Sequence, residues 1–152
     1  MTLKVWKLVS IVLSALVGGM YWAPWLALTR SMRTFKPEVF LAVVERLNRN
    51  MAPLMTALTP IALLSIMPVL FLSYNDHPTT FYLNVAGLIA FIVALLVTTI
   101  VEVPIVKQIA TWTISSLPDN WQKLRDRWGA FHIIRVVAGI LGVTLLVAGA
   151  IF

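Results

Sequence analysis

The chain reads as an all-α integral membrane protein, a four-helix transmembrane bundle with interfacial helices in its two long connections. Two observations predict this. Hydrophobic residues make up 60% of the 152 and charged residues only 12%, about half the charge of a typical water-soluble domain, and the mean hydropathy is +0.91. Several apolar stretches also reach the roughly 20 residues needed to cross a bilayer. The alternative, a very hydrophobic soluble bundle, does not require runs of that length. There is no cysteine, which excludes disulfides, thiolate metal sites and thiol chemistry. Residues 1–152 are expected to form a single membrane domain.

The first span covers about residues 5–28, "VWKLVSIVLSALVGGMYWAPWLAL". Lys4 and Lys7 ahead of "ALVGG" resemble a signal peptide, but the apolar run continues through Trp22 and Trp25, past the usual length of such a segment. A retained helix is expected. The second span covers about 51–72 and contains Pro53, Pro60 and Pro68, which a membrane helix tolerates when neighbours satisfy the freed carbonyls; kinks are expected near Pro60 and Pro68. The third covers about 81–106 and the fourth about 132–152. In the first long connection, Phe40, Val43, Val44 and Leu47 recur at helical spacing after a break at Pro37. In the second, "SSLPDNW" marks a helix start.

Charge asymmetry gives an orientation. The first long connection carries Arg30, Arg33, Lys36, Arg46 and Arg49, the second carries Lys107, Lys123, Arg125 and Arg127, and the short "SYNDHPTT" loop has no Lys or Arg. With four spans both basic connections fall on one side. The positive-inside rule makes that side cytoplasmic and puts both termini outside, with Lys4 and Lys7 pulling the other way. The net charge of +6 suits an anionic membrane surface, so no nucleic-acid partner is expected.

One stripe carries chemistry. Trp121, Arg125, Trp128, His132, Arg135, Gly139 and Gly142 step by four and three, so at 3.6 residues per turn they share a helix face. It starts in the interfacial segment and continues into the membrane as small residues that let a neighbouring helix approach. Opposite it, span one ends with "MYWAPW", span two begins after Glu45 and Asn48, and span three ends at Glu102, with Thr98 and Thr99 above it. A pocket is expected between these helix ends, walled by Tyr21, Trp22, Trp25 and Trp128. His77 belongs to the other surface, about 30 Å away.

Each of these residues also has a plainer role. Tryptophans form interfacial belts, and Glu102 with Arg135 could be a structural ion pair, because a lone charge at this depth costs a few kcal/mol. His132 is more informative, since neither a belt nor a pair needs an imidazole. Glu45, Glu102 and His132 could make a one-histidine, two-carboxylate metal site, but no compact HExxH spacing supports it. No phosphate loop or GxGxxG occurs.

"VEVPIVKQIATW" followed by "LPDNWQKLRDRWGAFHIIR" resembles the C-terminal half of the anthrone-oxygenase-like family, small four-helix membrane proteins whose bacterial members are mostly catalogued as a domain of unknown function. The similar features are a valine–proline step closing span three, a tryptophan, then W, R, W, H and R before span four. "GGMYWAPWLALTR" and "VVERLNRNMAP" fit the N-terminal half more loosely, with Asn48 at a position that is commonly asparagine. The family usually shows asparagines flanking the proline, where this chain has Glu102 and Val106.

The resemblance implies oxidation of an anthrone to a quinone by dioxygen with no cofactor required. His132 would be the base, Arg135 would stabilise the oxyanion, and Glu102 would orient His132. Tyr21, Trp25, Asn48 and Trp128 would contact a flat hydrophobic substrate arriving from the lipid bilayer. The expected location is a bacterial cytoplasmic membrane. The rival expectation is a non-catalytic small subunit, or a lipid- or quinone-binding module, docking through Ser10, Ser14, Gly18, Gly139 and Gly142 in a homo-oligomer or a larger membrane complex. An open channel to His132 would favour the enzyme; a sealed Glu102–Arg135 contact with an exposed small-residue face would favour the subunit.

Overall fold

The computed structural model describes residues 2–152, and no strand occurs among them. Helix α1 spans Thr2–Ala27, α2 Pro37–Ser73, α3 Pro78–Val97, α4 Val103–Ile109 and α5 Trp121–Ile151. A π-helical turn, Thr98–Glu102, joins α3 to α4 as one rod. Four rods are long and apolar enough to cross a membrane. α1 packs on α2 and α5, and α3 packs on the same two, which closes an up-down-up-down ring.

The helix starts follow from the sequence. Pro37 and Pro78 occupy the first turns of α2 and α3, where a missing N–H costs nothing and the ring sets the helical φ. Lys36 before Pro37 is extended, with φ −66° and ψ 156°, as the steric demand of a following proline requires. Helices form in both long connections, but they run without a break into the spans. Residues 38–52 contain neither Gly nor Pro, so nothing stops the helix, and α2 reaches 37 residues, about 55 Å. It continues through Pro53, Pro60 and Pro68. The second connection likewise feeds directly into α5 from Trp121. Its non-helical part holds a single 3₁₀ turn, Ile114–Ser116, fixed by reciprocal Thr113–Ser116 capping.

The interior has two apolar centres. Val17, Tyr21, Ala62, Ile66, Phe91, Ala94, Val136, Ala138 and Leu146 fill the middle of the bundle, and Met32, Phe40, Val44, Ile105, Ile109, Trp121 and Trp128 fill the end bearing the basic connections. Between helices the small residues permit close approach. A Cβ built on Gly139 would lie 2.9 Å from Tyr21 Cδ2 and 3.6 Å from Gly18 Cα, and one on Gly142 would lie 2.7 Å from the Phe91 ring. Ser10, Ser14, Gly18, Gly139 and Gly142 are all buried. The small-residue face is therefore used within the bundle, while Leu8, Leu64, Phe71 and Val137 face outward, as lipid contact favours.

Candidate functional site

Polar groups gather between the two apolar centres. Pro104 has no N–H, and in a regular helix its ring would collide with the carbonyl of Ile100. The chain resolves this with the π turn, in which the Val103 N–H donates to Thr98 O, five residues back. Such insertions re-aim side chains and are frequent at functional sites. Here Glu102 is the buried residue of the turn.

Glu102 meets the stripe on α5. Its Oε2 pairs with Arg135 Nη1, and its Oε1 lies 3.2 Å from His132 Nδ1. Arg135 Nη2 lies 2.7 Å from that same Nδ1, and Nη1 donates to Thr98 Oγ1 at 3.4 Å. The guanidinium carbon stands 4.8 Å from the centroid of the Tyr21 ring, a cation–π distance, and the Trp128 ring centroid is 6.0 Å from that of His132. His132 is 1% exposed and Glu102 3%, against 15% for the Arg135 side chain. His132 Nε2 and Arg135 Nε are buried without a hydrogen-bond partner among the described residues.

Nδ1 has two claimants, and it cannot satisfy both in one state. A guanidinium only donates, whereas a carboxylate only accepts. The contact to Arg135 is the shorter and fits an Nδ1 that accepts, whereas the contact to Glu102 fits an Nδ1 that carries a proton.

The structure brings Tyr21, Glu102, Trp128, His132 and Arg135 together, and six of the seven stripe residues are buried. Arg125 stacks on Trp121, 5.1 Å from the ring centroid, and its Nε donates to Asp126 Oδ1 at 3.0 Å. Other expected members lie elsewhere. Trp22 faces outward, Trp25 is half-buried against the central apolar cluster, and Asn48 is exposed. Glu45 is exposed and paired with Arg49 at 3.7 Å. That removes the metal set of Glu45, Glu102 and His132: no three His, Asp or Glu side chains among the described residues are grouped to hold a metal.

Around the expected pocket Tyr21, Trp128 and His132 are all buried by their own packing. A cavity of about 250 Å³ lies instead at the basic end, lined by Gln108, Trp112, Trp121, Lys123 and Arg127 among others, and does not reach His132. Thr59, buried at 4% and beside the Tyr21 hydroxyl, was not anticipated. Its signal was a hydroxyl residue directly before Pro60 within an apolar span.

No curated protein and no solved structure matches the chain. A family model does, described as anthrone oxygenase, and it matches residues 40–145. That stretch holds the π turn, Glu102 and the stripe from Trp121 to Gly142, while Tyr21 lies outside it.

Proposed function

This chain belongs to the anthrone oxygenase family, and from that premise we propose that it oxidises a hydrophobic aromatic ketone of the anthrone type with dioxygen, using His132, Arg135 and Glu102. The observation that carries the proposal is the buried contact of these three residues at the π turn. A purely structural pair would need only Glu102 and Arg135.

The chemistry balances with the substrate and dioxygen alone. The methylene opposite the ketone is acidified by the carbonyl, and His132 takes its proton. Arg135 holds the oxygen on which the negative charge then resides. The electron-rich enolate reduces dioxygen and forms a carbon–oxygen bond; loss of water leaves the second carbonyl. In total, methylene loses two hydrogens and gains one oxygen atom, and the other oxygen atom leaves as water. General base catalysis contributes about 10²–10⁴-fold, and a preorganised donor at the developing oxyanion about 10²–10³-fold. Glu102 accepts from Nδ1 once His132 has taken the proton and so holds the imidazolium, and Trp128 gives a flat ligand an aromatic wall. The basic end faces the cytoplasm of a bacterial membrane and the substrate enters from the lipid.

The second reading is a non-catalytic subunit or a lipid- or quinone-binding module, and the burial of His132 favours it. Against it, the glycines and serines expected to dock a partner are buried inside the bundle. Oxygen uptake and quinone formation from anthrone by detergent-purified protein, corrected for spontaneous oxidation, separate the two. His132→Gln should abolish the enzymatic part while the unfolding midpoint stays within a few degrees of wild type. Undiminished turnover in that variant would remove His132 from the reaction. A mass spectrum and visible spectrum of the purified protein would show a copurifying aromatic or quinone under either binding reading, and recovery with a larger membrane partner would favour the subunit.

A further inference from the structure

We propose that Arg135 masks the base of this site: its guanidinium caps His132 Nδ1, and the substrate's own oxygen lifts it off. The proposal rests on the oxygenase reading above and names the nitrogen and the order of events within it.

The contacts at Nδ1 carry the first half. Nη2 of Arg135 lies 2.7 Å from Nδ1. A guanidinium has no lone pair to offer, so the lone pair in that contact belongs to Nδ1. The other ring nitrogen, Nε2, then bears the proton and cannot accept one. Both nitrogens are therefore closed to a substrate proton as the protein stands.

Burial gives the second half. Arg135 is the most open of the three, with 15% of its side chain exposed against 1% for His132 and 3% for Glu102. An oxygen acceptor arriving at the layer meets the Arg135 side chain before His132 or Glu102. The firm hold on Arg135 is Nη1 on Glu102 Oε2, which anchors one arm of the fork and leaves Nη2 as the arm that can move. Its remaining contacts are weaker, Nη1 to Thr98 at 3.4 Å and the face of Tyr21, and Nε has no partner among the described residues. A ligand carbonyl that recruits this fork satisfies an orphan donor and draws Nη2 away from the ring.

The proton then has a complete path. The uncapped Nδ1 lone pair takes it from the substrate carbon, and the C–H electron pair moves into the enolate whose oxygen Arg135 now holds. Glu102 Oε1, 3.2 Å from Nδ1, accepts the new Nδ1–H hydrogen bond and stabilises the imidazolium. The base is available only when an oxygen acceptor has engaged Arg135. Arg135 thus acts on the proton transfer both as a positioning residue for His132 and as the group touching the substrate oxygen.

The test uses the full chain in detergent, labelled with ¹⁵N-histidine. The sequence has two histidines, and His77→Gln removes the exposed one, leaving His132 as a single imidazole. The expected resting spectrum shows a protonated Nε2 and an unprotonated, hydrogen-bonded Nδ1. Anthrone added without dioxygen should convert it to a doubly protonated ring, and Glu102→Gln should weaken that conversion. A proton on Nδ1 at rest would overturn the masking while leaving the oxygenase reading intact, with Nε2 as the base. A resting Nε2–H that ignores anthrone, in protein that also takes up no oxygen, would overturn both. A resting Nε2–H that ignores anthrone in protein that does turn it over would overturn the unmasking alone.

Discussion

Replacing Glu102 with Leu should destabilise the bundle more than any other single change in the polar layer, and a second substitution should undo most of the loss. Glu102 is 3% exposed and pairs with Arg135, whose side chain is 15% exposed. Without the carboxylate, the guanidinium keeps only Thr98 at 3.4 Å, the His132 ring at 2.7 Å and the Tyr21 face. None of these carries a negative charge. Breaking a buried pair in this way costs about 3–5 kcal/mol, or roughly two to three and a half decades in the unfolding constant. Arg135→Met should cost less, because a carboxylate left alone can take up a proton whereas a guanidinium cannot lose one. The double variant, Glu102→Leu with Arg135→Met, keeps similar volume and leaves no orphan charge, so it should return to within about 1–2 kcal/mol of wild type. Reversible unfolding in mixed micelles measures all four corners of the cycle. Oxygen uptake on anthrone measures function in the same samples, and the double variant should be folded but inactive. A double variant no more stable than Glu102→Leu alone would refute the ion pair as the source of the loss.

Further outcomes follow from packing and exposure. Gly142→Ala should destabilise by about 1–3 kcal/mol, since its Cβ would sit 2.7 Å from the Phe91 ring. Gly19→Ala, with nothing within 4 Å of its Cβ, should instead gain up to about 1 kcal/mol in helix propensity; thermal unfolding in detergent distinguishes the two signs. Asn48→Ala and Glu45→Ala change exposed residues, so stability should stay within about 0.5 kcal/mol and anthrone turnover should be unchanged. The absence of cysteine allows orientation to be read from single replacements: Asp76→Cys should react with an impermeant maleimide on intact cells, and Asp119→Cys only after lysis. The reverse pattern would invert the assigned topology.

Several features were legible because the bilayer leaves few choices. Apolar runs of spanning length specify helices, and steps of four and three from Trp121 to Gly142 specify the buried face of α5. Ionisable residues are rare in such spans, so Glu102, His132 and Arg135 were conspicuous, and chain direction puts them at one membrane depth. Other features depend on what the neighbours do. Asn48 follows Phe40 and Val44 at steps of four, but periodicity gives a helix face and not how far along it the neighbour extends; Phe40 and Val44 are buried and Asn48 is exposed. The π turn depends on how the backbone reroutes its hydrogen bonds around Pro104. Continuity of α2 through three prolines likewise depends on packing rather than propensity.

Tyr21 is part of the packing around the polar layer. Its ring lies beneath Arg135 and above Gly139, whose missing Cβ makes the room. Tyr21 therefore fixes the guanidinium from one side while Glu102 fixes it from another. Both contacts act on the least buried member of the layer. A site built only for stability would gain by burying the arginine fully and omitting the imidazole. This chain leaves the arginine partly open and buries the imidazole, the order that the proposed unmasking of His132 by a ligand oxygen requires.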